Sequence, residues 1–253
     1  MFARVLTISA LLSVAAAQLN LSQACTKALT TIATNPEANA CLTPSPLIPI
    51  LGDSNASIVE PINNWLTSLC AAPSCSNDTL AAIVTNATTG CLTELSSLGF
   101  QSSDTAGITT IIQQYYPTAR KVVCLKDGDT NCVTQTLTNI QNIFGPLSIK
   151  SIFSFNPGDK TIPANLSCTN CIKAAYNTIK ADIPGFSRFN NDLENQCGAS
   201  FNDGATPAGI SQSASDKTAD KPGDNKDSSA FILSAFSGAT VLVAVSSVFA
   251  LLV

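Results

Sequence analysis

The chain has 253 residues, only 12% of them charged, with a net charge of −4 and no histidine. Charged residues usually make up about a quarter of a soluble domain, so polarity here rests on Ser, Thr and Asn. Weak negative charge without a basic cluster argues against a nucleic-acid partner. Without histidine there is no Ser-His-Asp or Cys-His nucleophile and no His-ligated metal.

Met1 to Arg4 carry one positive charge, Val5 to Val14 are mostly apolar, and Ala15-Ala16-Ala17 precede Gln18. This order reads as a secretory signal over residues 1–17, cleaved after Ala17. The apolar part is too short to span a bilayer.

Residues 18–200 read as a cysteine-rich domain. Its ten cysteines, Cys25, Cys41, Cys70, Cys75, Cys91, Cys124, Cys132, Cys168, Cys171 and Cys197, are even in number. In an exported chain they point to up to five disulfides, with the pairing left open. Asn20, Asn55, Asn77, Asn86 and Asn165 each open an Asn-X-Ser/Thr sequon and are candidate N-glycan sites on the surface.

Near 25–43 and 75–93 the sequence repeats. Cys25 to Cys41-Leu42-Thr43 has the same cysteine spacing as Cys75 to Cys91-Leu92-Thr93. Leu29, Ile32, Thr34 and Asn35 match Leu80, Ile83, Thr85 and Asn86 with a one-residue slip. A third copy lies near 132–145 (Cys132, Leu137, Ile140) and a fainter fourth near 171–197 (Cys171, Ala175, Ile179). Repeated disulfide-linked helical units are the simplest account.

Apolar spacing makes these units helices: Leu80, Ile83 and Val84; Leu137, Ile140 and Phe144; Ile172, Ala175, Tyr176 and Ile179. Ser57 is placed to cap a helix carrying Ile58, Ile62, Trp65, Leu66 and Leu69, with Pro61 in its first turn. Asp104 is placed to cap one carrying Ile108, Ile111 and Ile112. Gly145-Pro146 stops the helix that begins at Cys132. Ser148 to Phe155 is the one stretch that reads as a short strand. The expected fold is mostly α, a disulfide-linked helical bundle of repeated Cys-helix units followed by a disordered stalk.

Candidate chemistry is sparse. Cys168-Thr169-Asn170-Cys171 has the spacing of redox and zinc sites, but an oxidising compartment favours disulfides to different partners. Asp127-Gly128-Asp129-Thr130-Asn131 has the acidic opening of a calcium loop. Cys132 stands where glycine is wanted, however, and Thr138 where a bidentate Glu is wanted, so a polar turn is the better reading. Asp192 and Glu194 read as a solvated helix face. Trp65 lies on its helix's apolar stripe. Tyr115-Tyr116, before Pro117, read as packed aromatics at a helix end. No catalytic, cofactor or metal residue is expected.

From 201 to 229 the chain is mainly Gly, Ala, Ser, Thr, Pro, Asp and Lys, with Ile210 the sizeable apolar side chain beyond Asn202. It reads as a disordered stalk. Residues 230–253 are almost wholly apolar or small, and no Lys or Arg follows them. A glycosylphosphatidylinositol (GPI) signal, removed on attachment, fits this pattern. Attachment is expected at Ser228, with Gly223, Asn225 and Ser229 as alternatives. A retained transmembrane helix is the competing reading.

At Cys124-Leu125-Lys126-Asp127, Asn131-Cys132 and Cys168 to Ala174 the chain resembles a group of fungal secreted proteins with an uncharacterised cysteine-rich domain. The resemblance implies a signal peptide, a Ser/Thr-rich tail, a GPI-type end and a fungal wall or plasma-membrane setting. It brings no catalytic residues. The expected function is a non-enzymatic GPI-anchored surface or cell-wall glycoprotein, structural or adhesive, on the outer leaflet and in reach of wall glycans. A binding module for an apolar ligand such as a sterol or fatty acid is the alternative. A carboxylate-based glycan-remodelling enzyme comes third.

Overall fold

A computed structural model of the protein describes residues 21–53, 55–97, 99–154, 163–183, 186 and 190–218. The signal at 1–17, the sequon at Asn20, every GPI attachment candidate and the tail at 230–253 lie outside the described residues. Among those described, no helix is long and apolar enough to cross a membrane.

The elements run α1 (Gln23–Thr34), α2 (Pro36–Leu42), α3 (Ile48–Gly52), α4 (Val59–Ala71), α5 (Asn77–Gly90), α6 (Leu92–Ser97) and α7 (Thr105–Val123). The hairpin β1 (Leu125–Asp127) and β2 (Thr130–Asn131) follows, then α8 (Cys132–Phe144), α9 (Ile149–Ser154), α10 (Ala164–Ser167), α11 (Asn170–Asp182), α12 (Asn190–Cys197) and β3 (Ile210–Gln212). The fold is mostly α, as expected, with one small antiparallel sheet in the order β2-β1-β3.

The first two repeat units form one structure. Ser22 caps α1 and Ser76 caps α5, each accepting from the main-chain N–H three residues on. Cys25 then bonds to Cys91, and Cys41 to Cys75. The first cysteine of each unit thus joins the second of the other, so α1 and α5 lie antiparallel with a bridge at each end. At the closest approach a Cβ added to Gly90 would sit 2.2 Å from the Ala28 Cβ. The units differ at their matched asparagines. Asn35 ends α1 and its side chain caps α2 from Ala38 N–H, because Pro36 follows it at the first helical position. Asn86 is followed by Ala87, and α5 continues to Gly90.

Helix α7, 19 residues and about 28 Å long, links two halves of the core. Its Ile112 and Tyr116 pack on Cys41, Cys75 and Leu80. Its Val122 joins Leu125, Cys132, Cys171, Ala175 and Ile179. Cys70–Cys124 ties the end of α4 to the end of α7, Cys132–Cys171 ties α8 to α11, and Cys168–Cys197 ties α10 to α12. The third and fourth copies are therefore bridged to each other through their first cysteines.

Three local expectations are corrected. Residues 149–154 form α9 and no strand, because Ser148 and Ser151 each accept the other's main-chain N–H, a reciprocal cap that starts a helix. Pro117 does not end its helix; α7 runs on to Val123. Asp104 holds the cap position of α7 but turns its carboxylate back to the Gln101 N–H. Ser57, one residue before the cap position at Ile58, does accept the Val59 N–H with its hydroxyl, as expected of a cap. Gly145 does stop α8, with φ 95°.

Gly90→Ala is expected to lower stability by about 1–3 kcal/mol through overpacking against Ala28, although alanine is worth about 1 kcal/mol more than glycine inside a helix. The shift in urea midpoint with all disulfides intact measures it; an unchanged or raised midpoint would contradict this packing.

Candidate functional site

Residues 201–218, expected as the first part of a disordered stalk, are instead folded onto the body. Phe201 is buried against Ile172, Tyr176 and Leu193. One face of α11 then holds the following loop at i, i+4 and i+7. Lys173 Nζ donates to the Ser200 carbonyl (2.6 Å) and to Asp203 (2.9 Å), Asn177 to the Ala205 carbonyl (3.0 Å), and Lys180 to the Asn202 carbonyl (2.8 Å). The Lys173 bond and the Ala205 N–H hold the Asp203 carboxyl below its ordinary pKa.

The chain next turns at Gly209, whose φ of +87° suits glycine and where a Cβ would lie 3.2 Å from an Asp127 carboxylate oxygen. Residues 210–218 form a strap. Ile210, Ser211 and Gln212 pair with Asp127, Lys126 and Leu125. Ser213 donates through both N–H (3.0 Å) and Oγ (2.7 Å) to the Cys124 carbonyl, and Ser215 N–H to the Cys70 carbonyl (2.8 Å). Ser74 N–H donates to the Lys217 carbonyl (2.8 Å). The strap thus lies across the Cys70–Cys124 bridge, bonded to the main chain of both its cysteines.

Between strap, α7 and the turn before α5 lies a cleft of about 310 Å³, near the lower limit for small-molecule pockets. Gln113, Tyr116, Pro117, Arg120 and Lys121 line it from one face of α7, Asn77 from the start of α5, and Gln212 and Asp216 from the strap. Gln113 Nε2 donates to the Asn77 main-chain carbonyl (2.8 Å), and the Tyr116 hydroxyl accepts from Cys75 N–H (3.0 Å) while keeping its own proton to donate.

Arg120 fixes the floor. It is 6% exposed, and its guanidinium donates to the carbonyls of Leu69 (3.0 Å) and Ala72. These groups sit at the C-terminal end of α4, where the helix dipole favours a cation. Nε is buried without a partner. Beside it Lys121 pairs with Asp182 at 2.9 Å, and Thr118 donates to the same carboxylate oxygen. The Lys121 bond, more than the Thr118 bond, holds the Asp182 carboxyl below its ordinary pKa, against an opposing push from burial.

Cys75 is held in its disulfide and offers no thiol. Asp216 is the one carboxylate of the lining, so no acid/base pair meets here.

The structure places the other candidates apart from it. Cys168 and Cys171 have different partners, as expected, and no cysteine is free. The 127–131 segment is the β1–β2 turn. Asn131 is buried, caps α8 from Val133 and Thr134 N–H and donates to the Val123 carbonyl, while Asp127 faces Gln135. Trp65 is half-buried and donates to the Leu42 carbonyl. Glu194 is half-exposed; its charge adds to burial in raising the Tyr176 pKa, burial being the larger cause. The side chain of Asp192 is outside the described residues. Asn55, Asn77, Asn86 and Asn165 are all exposed.

Sequence reading missed Arg120, Gln113, Lys121 and the whole strap. The polar residues at 113, 116, 120 and 121 share a helical face, which was the available signal.

Arg120→Met strands two carbonyls at the end of α4 and should cost on the order of 2 kcal/mol or more; Arg120→Lys, a point donor, should recover only part. Denaturant midpoints test both, and a neutral Met variant would contradict the capping role. For Asp182 the folded-state pKa is lowered, so its stabilisation is complete above the ordinary carboxylate range near about pH 4 and is lost as pH falls through the lower folded value. Asp182→Asn should therefore be less stable than wild type at neutral pH, with the gap closing in acid; a constant gap across pH would oppose this.

Compared with protein-family models, curated proteins and solved structures, the chain finds no match.

Proposed function

We propose that the protein is a GPI-anchored extracellular glycoprotein of the cell surface or wall, structural or adhesive rather than enzymatic, in a fungal setting. The observation that carries this reading is that all ten cysteines close into five disulfides. Such bonds persist in oxidising, extracellular compartments and brace small domains against unfolding. Exposed sequon asparagines at 55, 77, 86 and 165 leave room for glycans. The outer leaflet is then the partner through the anchor, and wall glycans are within reach of the folded domain.

The cleft favours neither alternative. Arg120, Lys121 and Asp216 in its lining suit a polar occupant better than a sterol or fatty acid. A single carboxylate leaves glycan remodelling without its second group.

Phosphatidylinositol-specific phospholipase C applied to intact expressing cells should move the protein into the medium, and a chain truncated before Ser228 should be secreted without it. Retention of the full chain on treated cells would oppose the anchor and favour a spanning helix.

A further inference from the structure

The cleft has a sequon asparagine at its rim. Asn77 lines it, is exposed, opens the sequon Asn77-Asp78-Thr79, and uses only its main-chain carbonyl, toward Gln113. Asn86 differs: its Nδ2 donates to Ala82 on its own helix, half a turn around α5 from Asn77. A cleft of about 310 Å³ suits one pyranose ring rather than a branched chain. Its lining offers what an N-acetylated sugar needs. Gln113 and Gln212 already donate to the Asn77 and Lys121 carbonyls, and Gln212 also accepts the Ala214 N–H, but each amide nitrogen has a second N–H to give. Asp216 can accept hydroxyls, and Tyr116 keeps a hydroxyl proton to donate.

We infer that Asn77 carries an N-glycan whose first N-acetylglucosamine seats in this cleft and clamps the strap to α7. This rests on the export reading above. The attachment is a transfer from a lipid pyrophosphate-linked oligosaccharide. Asn77 Nδ2 gives up a proton and bonds to the anomeric carbon, and the lipid pyrophosphate leaves with the electrons of the broken C–O bond. The ring then touches strap and body at once. It stabilises a segment whose hold, apart from Ile210, is mostly main-chain hydrogen bonding.

The test uses the full chain made in a glycosylating eukaryotic host, with glycopeptide mass spectrometry and amide hydrogen exchange at Ser213 and Ser215. Occupancy at Asn77 is expected. Trimming by an endoglycosidase that leaves a single N-acetylglucosamine should leave exchange unchanged. Complete removal by an amidase (Asn77→Asp), or Asn77→Gln, should speed it on the order of tenfold, and Asn86→Gln should not. Glycans at 55, 86 and 165 with none at 77 would overturn the inference and leave the export reading standing. An occupied Asn77 whose complete removal does not change strap exchange would also overturn it. A chain with no glycan at any sequon would overturn both.

Discussion

The helices of this protein are built from residues that form helices poorly, and the disulfides answer that constraint. Thr30, Thr34, Thr67, Thr88, Thr109, Thr136 and Thr178 sit inside helices and return their hydroxyls to the carbonyl four residues back. Such bonds satisfy the hydroxyl but add no helical stability. Short helices of this kind are marginal in water. Bridges closing 29 to 66 residues each remove about 4 kcal/mol of unfolded-state entropy in the chain-entropy picture. The bundle therefore relies less on buried volume than an undecorated helical domain would, and its buried apolar residues fall into small clusters that include several of the bridges themselves.

The crosswise pairing of the first two units shows what such bracing achieves. Equal spacing between Cys25 and Cys41 and between Cys75 and Cys91 lets two helical units lie antiparallel with a bridge at each end. Antiparallel packing brings Gly90 against Ala28, and this contact needs small side chains on both helices. Beside it, Glu94 accepts the Ser22 N–H, which holds its carboxyl below the ordinary pKa and fixes the entry to α1 next to the Cys25–Cys91 bridge.

Helices and their repetition were legible because apolar spacing and cysteine register are properties of single segments. Leu80, Ile83 and Val84 announce α5 whatever surrounds it. The pairing of cysteines was not legible, since two equal spacings allow bridges within each unit as readily as between them. The strap was missed for a physical reason. Counting apolar side chains estimates how much surface a segment can bury, and apart from Ile210 the strap buries little. It is held through Ser213, Ser215 and Lys217, mainly by main-chain N–H and carbonyl groups, and these are the same in every residue type but proline. The cleft was missed with it, because Gln212 and Asp216 have no meaning as a site until the strap is laid beside α7.

Arg120 shows how the same region concentrates structural demand. Its guanidinium closes the end of α4, one residue of which, Cys70, is bridged to the end of α7 and bonded to the strap. If the C-terminus is the tether, tension enters the folded domain at Thr218, bridged to Ser74, and runs back along the strap. Its first resistances are main-chain bonds to Ser74, Cys70 and Cys124, and the latter two cysteines are covalently joined. A pull on the anchor would then be passed into a cross-linked node rather than into a lone helix end. Under that reading, residues that composition marks as stalk are folded onto the body so that a tether would meet a covalently joined pair of helix ends first.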